Sequence, residues 1–222
     1  MRALIRFGKQ PRLRFISHLD LQRFFQRAVN RTGLPIAYSQ GFNPHPVMSF
    51  GSALALGWTS EYEVIDIKLS APMGRKRTEE AVRLALPDDL PVLEVRMIDD
   101  KHPAPMALVR MSDYSVHLEG EGANQVIATI PEFLGRESVT AVKKTKSGEK
   151  EINARPMVLE LKPTSDGFET RLMLTERESI KPELLIGLLA QMAGVEPCEA
   201  RVHRTMLLGD GPDGQPAPLM TL

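Results

Sequence analysis

The spacing of apolar residues constrains this chain more than any single motif does. In SHLDLQRFFQRAVNRTG, residues 17–33, Leu21, Phe24, Phe25, Ala28 and Val29 recur at helical intervals and predict one apolar stripe. Ser17 is a suitable N-cap, Asp20 stands where a capping-box acid reaches back, and Gly33 marks the stop. Strand-like stretches surround this helix. RALIRF precedes it, and LPIAY and EYEVIDIKL follow, the last with Ile65, Ile67 and Leu69 on one face and Asp66 and Lys68 on the other. A second helical stretch, RTEEAVRLAL, and a strand, PVLEVRMID, complete the order strand–helix–strand–strand–helix–strand.

The same order restarts after the linker KHPAP, residues 101–105. ALVRMSDYSVHLE reads as a strand and NQVIATIPEFL as a short helix despite Pro131. SVTAVKKT and the two halves of RPMVLELKPTSDGFETRLMLT read as three strands, the last two joined by the turn TSDG. ESIKPELLIGLLAQMAG is helical to Gly194, and CEARVHRTMLL closes the unit. The expected fold is therefore α+β: two tandem ferredoxin-like (βαββαβ) halves with antiparallel sheets, residues 1–100 and 106–208. A flexible, glycine- and proline-rich tail is expected over 209–222. KKTKSGEKE, residues 143–151, reads as an exposed hairpin tip.

With 42% hydrophobic residues among 222, the chain can bury a core, and 25% charged residues keep it in water. No apolar run approaches the length of a membrane span, and the start has no signal-peptide centre, which points to the cytoplasm. The single cysteine, Cys198, excludes an intramolecular disulfide and any all-cysteine metal or iron–sulfur site. GxSxG, GxGxxG and the Walker phosphate loop are all missing, and no cofactor is expected.

Net charge is zero but unevenly spread. Residues 1–60 carry eight basic side chains, seven of them arginine, against Asp20 alone, a net of +7 balanced by −7 in the rest. Such polarity either addresses an anionic partner or marks a solvated basic face that pairs with acids of the second half. On the first helix Asp20, Arg23, Arg27 and Arg31 lie off the apolar stripe. They read as a phosphate-facing ridge or as an ordinary solvated face. His18 occupies the first turn, where the helix dipole favours an anion.

A second feature is the stretch YSQGFNPHP, residues 38–46. Pro44 and Pro46 push Asn43 and His45 toward extended backbone, and Gly41 permits a positive φ, so the loop is stiff. If it folded onto the start of the first helix, one cleft would gather His18, Asp20, Arg23, Asn43 and His45. Such a cleft fits three chemistries. His18 and His45 could serve as acid and base in RNA cleavage. His18, Asp20 and His45 could hold a metal, although no familiar ligand spacing supports that. Or the residues bind RNA or a phosphorylated ligand, with Phe42 or Tyr38 as a stacking face, although such aromatics are more often core. Binding needs the fewest assumptions. Arg155, Arg201, His203 and Arg204 form a second basic group for which structural roles are expected.

The run from FISHLDLQRFF to IDIKL, with its SHLDL and YSQGFNPHP blocks, resembles the radical-SAM-associated protein family, bacterial proteins of uncharacterised function. Members stand alone or follow a B12-binding-type radical SAM domain. The motif positions here are Ser17, His18, Asp20, Arg23, Ser39, Gln40, Gly41, Asn43, Pro44 and His45, and Arg14 and Arg27 join them as candidate ligand contacts. The resemblance implies an accessory or substrate-presenting module acting with a separate radical SAM protein. One cysteine cannot hold that enzyme's cluster. The leading expectation is an RNA- or substrate-binding accessory protein serving RNA or ribosome modification. The alternatives are a protein-interaction module docking on the radical SAM partner, and an RNA-processing enzyme using His18 and His45.

Overall fold

The computed structural model describes residues 1–145 and 148–222, and the chain divides into residues 1–109 with 206–222, and residues 110–205. The first unit contains β1 (Arg2–Lys9), α1 (His18–Asn30), β2 (Met48–Phe50), β3 (Thr59–Lys68), α2 (Arg75–Ala85), β4 (Val92–Ile98) and a helical turn, α3 (Pro105–Leu108). Its strands run β4-β1-β3, with β2 antiparallel to the end of β3. The predicted stripe on α1 is buried at Leu21, Phe25, Ala28 and Val29. Phe25 meets Phe7 of β1 at 4.8 Å between ring centroids and Phe50 of β2 at 5.5 Å, the aromatic centre of this core.

LPIAY makes only isolated bridges, Ile36 to Leu69 and Tyr38 to Pro46, because Pro35 has no N–H to give a ladder. The expected alternation on β3 also fails at Asp66, which is buried. Its carboxylate takes the Arg2 guanidinium through Nε at 3.0 Å and through Nη2.

The second unit contains β5 (Met111–Glu119), α4 (Ala123–Ala128), α5 (Ile130–Gly135), β6 (Thr140–Thr145), β7 (Gly148–Asn153), β8 (Val158–Pro163), β9 (Gly167–Met173), α6 (Pro182–Ala193) and the first part of β10 (Glu199–Asp210). Its main strands run β10-β5-β9-β8, and β6 and β7 pair antiparallel as a separate hairpin. The tip expected over 143–151 falls on Lys146 and Ser147, which lie outside the described residues. Pro131 divides the single helix expected over 124–134 into α4 and α5, since its ring cannot sit in a helix interior. The TSDG turn requires its glycine: a Cβ on Gly167 would come within 1.9 Å of the Val116 oxygen.

The protein is thus a mixed α/β structure whose sheets are mostly antiparallel. Residues 209–222, expected to be a flexible tail, belong instead to the first unit. β11 (Pro216–Pro218) pairs with the end of β10, and Leu219 and Met220 are buried. Met220 donates its N–H to the Tyr62 hydroxyl at 3.3 Å and accepts from Arg96 Nη1 at 2.9 Å. Burial of two apolar side chains in the tail outweighs its glycine and proline content. Among the described residues no helix is long and apolar enough to cross a membrane.

Candidate functional site

The eight basic residues of the first segment separate into two sets. Arg2 pairs with Asp66, Arg6 lies 3.5 Å from Glu94, and Arg12 lies 3.7 Å from Asp89. Lys9 is buried at 1% exposure and donates to the carbonyls of Arg14 at 3.2 Å and Ile16 at 2.9 Å. Burial pushes its ammonium below the ordinary lysine value, an effect opposed by nearby Glu63. Arg2 and Lys9 are turned inward, while Arg12 stays exposed beside Asp89; the acids that take Arg2, Arg6 and Arg12 lie within residues 66–94 and not in the second half. Arg14, Arg23, Arg27 and Arg31 remain exposed on α1 and its approach.

Lys9 fixes the turn that leads into α1 and so presents Arg14 and Phe15. The Arg14 guanidinium lies 4.4 Å over the Phe15 ring, and its Nη1 donates to the Pro11 carbonyl at 3.2 Å. Phe15 is 68% exposed, so ring and guanidinium form a small stacked rim in solvent. The sequence reading missed Phe15. The signal was a second aromatic flanked by arginine immediately before the helix cap, but an aromatic beside a strand reads as core by default.

At the start of α1, the Ser17 hydroxyl accepts the Asp20 N–H at 3.2 Å and donates to the Asp20 carboxylate at 2.7 Å. The Asp20 carboxylate thus takes the cap's hydroxyl, where a capping box would have it take the cap's backbone N–H. Arg23 lies 3.3 Å from the same carboxylate. The Ser17 hydrogen bond, followed by the Arg23 and Arg27 charges, holds the Asp20 carboxyl below its ordinary value. Among the described residues no ion pair or hydrogen bond engages Arg27. The His18 ring packs edge-on against Phe50 at 5.1 Å.

The YSQGFNPHP stretch is a self-contained hairpin. Ser39 donates its N–H to the His45 carbonyl at 2.9 Å, and His45 returns its own N–H to Ser39 Oγ at 3.1 Å. His45 Nδ1 lies 2.9 Å from Ser39 Oγ and 3.3 Å from the Asn43 carbonyl oxygen. Gly41 takes φ +126°, a conformation that a side chain resists, while Gln40 and Asn43 are exposed. Phe42 is 108% exposed at the apex, and Tyr38 is exposed too, so neither aromatic is core. The Tyr38 hydroxyl donates to Asn30 Oδ1 at 2.5 Å, which anchors the hairpin to the last residue of α1.

This placement answers the condition set by the sequence. His18 packs at Phe50 of β2, and His45 closes its own hairpin through Ser39. The His18–Asp20–His45 metal site has no geometric basis among the described residues. Among the described residues no group of three or more His, Cys, Asp and Glu side chains is placed to hold a metal. In the second unit, Arg155 donates to the carbonyls of Val158 and Leu134, Arg201 pairs with Glu119, and Arg204 is buried over Tyr114. These roles are structural, as expected.

Fold and site together define a mixed α/β protein with an exposed arginine–aromatic rim. The chain belongs to a family described as uncharacterised proteins conserved in bacteria (DUF2344), whose model matches residues 2–182. No curated protein sequence matches it. In structure it is similar to a chain in the crystal structure of a Cbf5-Nop10-Gar1 complex, at 13% identity and a TM-score of 0.48. That alignment covers 92% of this chain and 48% of the other, so this chain spans about half of that chain's length.

Proposed function

We propose that this protein is a cytoplasmic accessory RNA-binding protein that works with a radical SAM enzyme modifying RNA or a ribosomal component. The observation that carries the reading is the exposed Arg14–Phe15 stack at the start of a helix whose Arg23 and Arg27 also face solvent. An unstacked base fits onto such a guanidinium–aromatic rim, and neighbouring arginines take the backbone phosphates. The radical SAM link rests on the resemblance of the SHLDL and YSQGFNPHP blocks. We further read each unit as a variant of the βαββαβ ferredoxin-like motif. The strand orders β4-β1-β3 with β2 on β3, and β10-β5-β9-β8, support that reading, with the β6–β7 hairpin as an insertion in the second unit.

The test is fluorescence anisotropy on single-stranded RNA and on a structured ribosomal fragment across a salt series. Each phosphate contact to a single strand contributes a slope of about −0.7 in log K against log salt, so losing both side chains in Arg23→Ala/Arg27→Ala flattens it by about 1.4. An unchanged slope and affinity would refute the placement. A second reading, docking on a protein partner, is favoured by exposed Leu19 and Leu56; Gly57, next to Leu56, donates its N–H to the Arg14 carbonyl. Binding to a radical SAM partner that is lost in Leu19→Asp while RNA binding persists would establish it.

A further inference from the structure

A second group of cations lies within residues 110–205. β6 and β7 place Lys143 and Lys150 directly opposite each other. Like charges in that relation destabilise a hairpin unless something offsets them. Lys143 Nζ is held by the Ser179 carbonyl at 2.7 Å and the Ser179 hydroxyl at 2.9 Å, which ties the hairpin to the segment before α6. Ammonium has three donors, and among the described residues the third has no protein acceptor. Lys181 is the N-cap residue of α6, at the positive end of that helix. Arg177 completes the group beside a cavity of about 470 Å³ lined by Lys143, Lys150, Arg177 and Ser179.

Three carboxylates, Glu151, Glu176 and Glu178, line the same cavity. Among the described residues none of them forms an ion pair with these cations. The charges acting on Lys143 are the like charges of Lys181 and Lys150, and burial and these two neighbours hold its ammonium below the ordinary value. Cations driven together without carboxylate partners are the arrangement that an oxyanion relieves.

We propose that Lys143, Lys150 and Lys181 form a phosphate-binding site in the second unit. A phosphoryl group seated there accepts the free donor of Lys143 and interposes its charge between the three lysines. Lysine suits this role as a mobile point charge on phosphate. The chemistry is the same whether the group is a free phosphate or a phosphate of an RNA chain, and this site does not depend on the α1 rim.

The test uses the full chain at low salt with pyrophosphate alone and, separately, with single-stranded RNA. Affinity is read by calorimetry, and the Lys143 side chain by NMR titration. Lys150→Gln and Lys181→Gln leave the Lys143–Ser179 bonds intact, so they separate binding from folding. Each is expected to weaken pyrophosphate binding about tenfold, the loss of one charge-assisted contact. Bound pyrophosphate is also expected to raise the titration point of Lys143. Weakening seen with RNA but not pyrophosphate would assign the site to a nucleic-acid backbone. Failure of both ligands to bind there, or equal affinity in wild type and both variants, overturns the proposal. Arg23→Ala/Arg27→Ala should leave pyrophosphate binding unchanged, so failure of the α1 reading is distinguishable.

Discussion

Replacing Lys9 with methionine tests whether the turn before α1 is held from beneath. Methionine fills nearly the same volume, so the change removes charge and hydrogen bonds rather than packing. The Arg14 carbonyl keeps a second donor, the Gly57 N–H at 2.8 Å, and the Ile16 carbonyl loses its ammonium donor. An orphaned buried acceptor costs about 1–3 kcal/mol. Glu63, 2% exposed, also loses the favourable field of the Lys9 cation. Against these stands the relief of no longer burying an ammonium, worth several kcal/mol. The orphaned carbonyl and the weakened field at Glu63 together outweigh that relief, and the net expectation is a loss of about 1–2 kcal/mol.

Urea unfolding followed by Trp58, the single tryptophan and a buried residue of the first unit, reads this directly. The pH dependence supplies an independent check. Lys9 has a folded value below its ordinary 10.5, so the unfolded chain binds its proton first as pH falls. The stability tied to its titration is fully present above 10.5 and is lost as pH drops to the lowered folded value. The advantage of wild type over Lys9→Met should therefore grow on raising pH through that window. Taking the difference between the two proteins cancels other alkaline titrations, including Tyr62, whose hydroxyl burial pushes up. A flat difference, or a variant as stable as wild type at neutral pH, would refute the assigned role.

Two further outcomes follow from named contacts. Ser17→Ala removes the α1 cap and should cost about 1 kcal/mol in urea unfolding. It should also move the Asp20 titration up toward 3.8, because the Ser17 hydroxyl is the largest cause of its depression; an unmoved titration by NMR would contradict the geometry. Arg2→Ala strands the buried Asp66 carboxylate and should cost about 3–5 kcal/mol, whereas Arg2→Met/Asp66→Leu should recover most of it. A loss below about 1 kcal/mol in the single variant would show the pair to be hydrated.

What could be read from the sequence was what depends on local spacing. The α1 stripe, its serine cap and the Gly194 stop of α6 were all legible, because each is decided within about four residues. β7 was not: GEKEIN is polar at nearly every position, so no alternation announces a strand whose only partner is its own hairpin. The tail misled for a related reason. Its composition argues for disorder, and only the burial of Leu219 and Met220 on residues far away in sequence reverses that.

The candidate site divides along the same line. The hairpin's stiffness was legible in Pro44, Pro46 and Gly41, but its direction was not. Direction is set by Tyr38 reaching Asn30 at the C-terminal end of α1, a contact between two polar residues that no periodicity marks. Once that end is fixed, His45 serves to close the hairpin through Ser39. The charge count of the first segment shows the same limit. A net of +7 gives no hint of which cations are turned inward, and that division decides where an anion can approach. Lys9 buried and Arg14 stacked outward are five residues apart on one chain, and the first holds the backbone that displays the second. The rim at Arg14 and Phe15 is therefore a product of the core beneath it, which is why a substitution at buried Lys9 should be felt in the proposed RNA binding as well as in stability.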